Sequence, residues 1–263
     1  MKIKNLKINK RNIVAVLLMT TSVVFLCHGL KENSEYKKEK SEIDSLAIYN
    51  VSDNSIPVYV TEENIEQNET EPLNYNPIKW DELKIINNDI VGWIYNGQTI
   101  NYPIFQYQDN QYYLKHDMYG NESKHGSIFL NTYNNEQFCD DVSGIYGHHM
   151  KDGTMFKTIC NYKSQEYFEE HQTMMLYTLD NSYEVLLFGG VIVPDSYAFI
   201  GNFETKNDFE VWLENIIKNS TFTSNIDVEY GDKIVYFSTC TYEFSNARYI
   251  LYGKLSEKYK YTK

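Results

Sequence analysis

KIVYFSTCTYEFSNARYILYGKL, residues 233–255, holds two runs of strand composition around a polar connection. Lys233–Ser238 and Tyr249–Leu255 are rich in Val, Ile, Tyr and Leu, side chains that suit a pleated, half-buried surface. The connecting TYEFSNA is long enough for a turn that returns the chain antiparallel. If that turn centres near Phe244, Cys240 and Arg248 become cross-strand partners. Their even separation then puts both side chains on one face, with Cβ atoms about 5 Å apart. The arginine is conspicuous, because of 24 basic residues only Arg11 and Arg248 are arginines. A cation beside a thiol favours the thiolate, and a guanidinium offers a developing oxyanion a rigid fork of donors that lysine lacks. A single cysteine before a turn also fits a buried structural thiol, so the pair needs further residues to carry chemistry.

Working outward, the same kind of run recurs: IVGWIYN, TINYPIFQ, GSIFLN, SGIYG, MMLYTLD and SYEVLLFGGVIV, separated by Asn, Asp and Gly. Many short strands without regular helical alternation predict a mainly β domain of closed or sandwich-like architecture over residues 76–263, long enough for one proper core. Three helices interrupt it. Pro77–Asn88 is expected at the entrance and Lys163–Gln172 in mid-domain. In Lys206–Ser220, Phe209, Trp212, Leu213, Ile216 and Ile217 recur at i, i+3, i+4, i+7 and i+8, one apolar stripe for packing.

The N-terminal 30 residues form a unit of their own. Lys2, Lys4, Lys7, Lys10 and Arg11 precede the apolar run Ile13–Cys27, and no acid occurs before residue 31. A basic start followed by an apolar stretch that continues to Leu30 predicts an uncleaved signal anchor over residues 1–30, crossing the membrane once and leaving the rest outside the cell. Residues 31–75 are polar and mostly acidic, and read as a stalk or linker. All 36 acidic residues lie beyond the anchor, against a net charge of −12 for the whole chain. Such a surface excludes nucleic acid as a partner, since phosphates require clustered Lys and Arg. Beyond the anchor there are three cysteines, an odd number, so this is no disulfide scaffold and at least one thiol is free.

A thiol nucleophile needs a proton carrier, and an exported enzyme would normally use histidine. YGHHM, residues 146–150, follows the strand SGIYG and offers His148 and His149. Adjacent residues on extended backbone point opposite ways, so at most one of them faces a given site. His116, His125 and His171 lie in polar, surface-like contexts and read as solvated. No CxxC, HxH or HExxH spacing occurs, so neither a metal nor a cofactor is expected.

The ordered set GWI…NYPIFQ, DNQYYLKHDMYG, GSIFLN, YGHHMKDGTMF and STCTYEFSNARYILYGKL resembles a class B sortase over about residues 76–256. The resemblance implies a membrane-anchored cysteine transpeptidase of Gram-positive bacteria. Its fold would be an eight-stranded sortase-type β-barrel with an N-terminal helix and a second helix in the insertion before the catalytic strand. It implies Cys240 as nucleophile, His148 (directly after Gly147, in preference to His149) as proton carrier, and Arg248 as the arginine of the following strand. Thr239 would position substrate or transition state. Glu243 acquires no role, and no third acid is visible. The implied partners are secreted proteins with a C-terminal sorting signal of the NPxTN or (S/N/P)PxTG kind and a peptidoglycan amine, from a cross-bridge or diaminopimelate. The membrane would be met through residues 13–30. Two other readings compete. One is an exported thiol peptidase or hydrolase using water as acceptor, although His148 precedes Cys240 by 92 residues, opposite to the papain-like order. The other is a catalytically silent surface-binding module.

Overall fold

In the computed structural model, the described backbone covers residues 10–45, 76–197 and 200–260, and the described side chains begin at residue 18 and end at residue 257. All eight strand-like runs are strands. In chain order they are β1 (Ile90–Tyr95), β2 (Asn101–Phe105), β3 (Ile128–Leu130), β4 (Val142–Tyr146), β5 (Thr173–Tyr177), β6 (Asn181–Pro194), β7 (Ile234–Cys240) and β8 (Ala247–Lys260). They close into a barrel in the order β1-β2-β3-β4-β7-β8-β6-β5. The β2–β3 and β4–β7 neighbours are parallel and the rest antiparallel. Closure removes the unpaired edges that a sheet of this composition would otherwise expose.

Helix α1 (Lys10–Ser45) forms one compact unit and the barrel another. It runs without a break through the expected junction between anchor and stalk at residue 30. Residues 31–45 contain no Pro or Gly, and pairs such as Lys31–Glu35 and Lys38–Glu42 support the helix at i,i+4 spacing. Among the described residues no helix is long and apolar enough to cross a membrane. The side chains of residues 1–17, and residues 46–75 of the expected stalk, lie outside the described set.

The entrance helix is α2 (Trp80–Ile86), shorter than expected, with Asp81 and Glu82 in its first turn, where they suit the helix dipole. Trp80 and Leu83 bury against Ile90, Trp93 and Phe105 of β1 and β2. In mid-domain α3 (Gln165–Glu170) is shorter than the expected Lys163–Gln172, and a 3₁₀ helix, Lys157–Lys163, that the sequence does not suggest leads into it. Ser164 divides the two: its backbone is extended and its side chain caps α3 by accepting from Tyr167 N.

Helix α4 (Lys206–Asn219) lies in the connection between β6 and β7. Thr205 caps it, accepting from Asp208 N while its hydroxyl donates to the Asp208 carboxylate. Phe209, Trp212 and Ile216 bury against Phe188, Tyr236, Ile250 and Tyr252, each contributing about 1.5–3 kcal/mol. Ile217, placed in the stripe from sequence, is 58 % exposed. One residue past Ile216 it is rotated by a quarter turn or so, beyond the face that the sheet covers. With α4 on one side and the barrel interior on the other, β7 is buried at six successive positions before Cys240.

Candidate active site

Strand β7 enters the site between β4 and β8, and Cys240 is its last residue. The turn that follows is held by Thr241 N donating to Ala247 O and Ala247 N donating to Phe244 O. Asn246 takes a left-handed φ of 60°, which Asn tolerates better than most residues. The register places Cys240 opposite Arg248, as the even spacing requires. Because Thr241 and Ala247 are hydrogen-bonded across the ladder, the neighbouring Cys240–Arg248 pair is the non-hydrogen-bonded kind. Its side chains approach closely and its main-chain groups turn away from the partner strand. Arg248 Nη1 donates to Cys240 Sγ at 2.6 Å.

The two histidines leave β4 on extended backbone, with His149 bridged to Met155 and His148 O accepting from Phe156 N. They diverge as alternation demands. His148 Nε2 donates to Leu114 O at 2.7 Å, which fixes the proton on that nitrogen because a carbonyl only accepts. His149 turns the other way, its Nδ1 lying 2.9 Å from the main-chain carbonyl of Cys240. Gly147 is required by packing: a Cβ there would collide with Ile128 Cδ1 and lie 2.8 Å from the Phe156 ring.

His148 and Arg248 line one cavity of about 250 Å³, together with Ser238, Tyr146, Tyr236 and Trp212 among others. Ser238 lies two residues before Cys240, on the same face of β7. The Tyr146 and Tyr236 hydroxyls are 2.5 Å apart, and Asn131 Nδ2 donates to Tyr146. Gly144, opposite Tyr236, leaves room for this ring, since a Cβ would collide with the Tyr236 hydroxyl. Burial, then the neighbouring Tyr146, pushes the Tyr236 phenol well above its ordinary pKa, so it remains a neutral hydroxyl in the wall. Trp212 therefore serves the core and the cavity wall at once. Thr239, adjacent to Cys240, projects to the opposite face of β7. It is fully buried, and its hydroxyl has no hydrogen-bond partner among the described residues.

The structure corrects the expectation that His116, His125 and His171 are solvated, and adds a contact that the sequence does not suggest. His125 is not solvated but 1 % exposed, and its Nε2 pairs at 2.7 Å with Asp152 of the loop that carries the two histidines. Burial opposes ionisation of Asp152, but hydrogen bonds with His125 and Thr154 hold its carboxyl below the usual range. His116 and His171 are half-buried, each stacked on the tyrosine four residues before it. Lys163 donates to Thr241 and Glu243 on the turn after Cys240, and Thr241 also donates to Glu243. Burial raises the Glu243 carboxyl but these hydrogen bonds prevail, bringing it down to about 2. This clasp is complete above the ordinary carboxylate range and loosens only as pH falls through about 2. All four cysteines are free, Cys139 being exposed and Cys160 half-buried.

No family model matches the chain. Sortase B of Listeria monocytogenes is 36 % identical over 181 residues, covering 67 % of this chain and 74 % of the relative. The Staphylococcus aureus sortase B–substrate complex superposes with a TM-score of 0.64 at 29 % identity, covering 67 % of this chain and 84 % of that one. A sortase B complexed with triglycine gives 0.63 at 30 % identity, over 68 % and 85 %. The barrel, the α4 insertion and the thiol–guanidinium pair thus stand in a chain similar to sortases across two thirds of its length. This chain belongs to the sortase B family and is a cysteine transpeptidase.

Proposed function

We propose that the protein cleaves a C-terminal sorting signal after Thr and transfers the part of the substrate that ends in the Thr carbonyl to a peptidoglycan amine. The observation that carries this reading is the Arg248–Cys240 pair at 2.6 Å, with His148 on the cavity that Arg248 lines. Cys240 Sγ, as thiolate, attacks the Thr carbonyl carbon. The C–N bond then breaks, and the leaving amine takes its proton from the His148 imidazolium. Arg248 donates to the oxygen that becomes negative in the tetrahedral intermediate. An acceptor amine attacks the resulting thioester, releases its proton to His148, and the Cys240 thiolate leaves. The S. aureus substrate complex and the triglycine complex support a peptide signal and an amine acceptor, respectively.

The test is to incubate the full-length protein with labelled peptides of the NPxTN and (S/N/P)PxTG kinds, with and without an amine acceptor. One peptide class should be cleaved after Thr, with a Cys240 acyl adduct visible by mass spectrometry and an amide product when amine is present. Absence of both cleavage and adduct with every peptide would overturn the reading. Release of acid alone, even with amine present, would favour the hydrolase. His148→Ala should lower turnover by about 10²–10⁴-fold.

Residues 13–30 are proposed as the membrane anchor, supported by the basic residues that precede the apolar run. The full-length protein should sediment with membranes, and a chain starting at residue 31 should not. Equal sedimentation of the two would refute it.

A further inference from the structure

The residues behind the nucleophile form a brace that the transfer chemistry does not use. As the last residue of β7 and one of a non-hydrogen-bonded pair, Cys240 turns its carbonyl away from β8. On that side β4 has already ended, its last register partner being Tyr146 opposite Ser238. The carbonyl would thus lack a ladder donor at the residue that carries the thiol. Two side chains approach it instead: His149 Nδ1 at 2.9 Å and Cys160 Sγ at 3.8 Å, with these two atoms 3.5 Å from each other.

A carbonyl oxygen only accepts, so His149 carries its proton on Nδ1. Burial, followed by the positive charges of Lys157 and Lys163, lowers the pKa of His149, although the hydrogen bond to Cys240 resists this. The ring is therefore a neutral donor. Burial likewise raises the Cys160 thiol, which keeps its proton as a second, weak donor. Cys160 and Lys163 stand three residues apart on the 3₁₀ helix Lys157–Lys163, the spacing that puts side chains in one line. From that line Cys160 reaches the Cys240 carbonyl, and Lys163 reaches Thr241 and Glu243. The helix thus grips the turn immediately after the nucleophile, while Arg248 meets the thiol from the other side.

We propose that His149, backed by Cys160, is a positioning residue: its Nδ1–H holds the Cys240 carbonyl so that the thiol is presented to Arg248 and the substrate carbonyl. Small displacements of a reacting atom are costly in rate while leaving remote substrate contacts intact. The proposal rests on the transpeptidase reading above, because it assigns His149 to the same nucleophile.

The experiment compares His149→Leu, which removes the donor, with His149→Asn, whose Nδ2–H occupies nearly the place of Nδ1–H. Both are made in the full-length protein, with Cys160→Ala as a third variant. The measurements are kcat and KM for peptide transfer, normalised to titrated folded protein, and the rate of Cys240 alkylation by iodoacetamide. His149→Leu should lose about 10- to 100-fold in kcat at nearly unchanged KM, and its Cys240 should alkylate more slowly. His149→Asn should recover most of both, and Cys160→Ala should fall between Leu and wild type. Wild-type kcat and alkylation in His149→Leu would overturn the proposal. So would equal losses in Leu and Asn, which would show that imidazole chemistry and not the donor matters. If the wild-type protein transfers no peptide, the transpeptidase reading fails. The alkylation rates then still decide whether His149 positions the thiol.

Discussion

Cys240→Ala is expected to lower peptide transfer by at least about 10⁴-fold while the protein melts within about 4 °C of wild type. The size of the first effect follows from covalent catalysis: without Sγ there is no thioester, and oriented binding alone gives little amide cleavage. The smallness of the second follows from position. Cys240 is half-buried at the end of β7, and the mutation leaves the main-chain pairing of β7 with β4 and β8 intact. Its carbonyl, which His149 holds, is also unchanged. Activity is followed by chromatography of the labelled peptide, and folding by thermal melting. A catalytically silent binding module would behave identically with and without the sulfur. Transfer at the wild-type rate in this variant would remove Cys240 from the chemistry altogether.

The hairpin around Cys240 was legible because it is local. Strand composition on both sides of a short polar connection constrains the register to a few choices, and only an even Cys–Arg separation puts both side chains on one face. The eight strands were legible for a related reason, each being a β-branched and aromatic run between turn residues. Strand order was another matter. That β4 lies parallel to β7, with Tyr146 beside Ser238, depends on a long-range pairing between segments about 90 residues apart. No local pattern encodes it, yet it brings the loop of His148 and His149 to Cys240. The resemblance to sortases supplied that link.

The choice between His148 and His149 shows how far alternation can reach. It implies that the two side chains diverge, and they do, but it cannot say which one meets the cavity. The polar, surface-like context of His125 suggests a solvated side chain, whereas it is buried and its partner Asp152 lies 27 residues away. The grip of Lys163 on Glu243 spans 80 residues and follows no motif, which is why Glu243 had no role from sequence. Thr239 illustrates the converse. The sortase resemblance implies a positioning role for it, whereas strand alternation sends its side chain to the opposite face from Cys240, where it is fully buried.

Arg248→Lys separates charge from geometry, and a loss of about 10²- to 10³-fold in kcat/KM is expected despite the conserved charge. In this structure the guanidinium meets Cys240 Sγ through Nη1 alone. Its planar group keeps other N–H donors, in fixed directions, for the oxygen that becomes negative when the thiol attacks. A lysine ammonium at the same strand position carries the charge on one shorter, freely rotating point. It can approach the sulfur or the oxyanion, but it cannot hold both from a rigid frame. Stability should hardly change, because Arg248 is only half-buried and its aliphatic stem is largely reproduced by lysine. The decisive comparison sets transfer kinetics beside alkylation of Cys240 in the same preparation. If charge were the whole contribution, lysine would preserve both rates. If the fork is what matters, alkylation should survive far better than transfer, because alkylation develops no oxyanion. Wild-type transfer in Arg248→Lys would refute this account of why the barrel places an arginine, in a chain that otherwise uses lysine beyond its N-terminal tip, opposite Cys240.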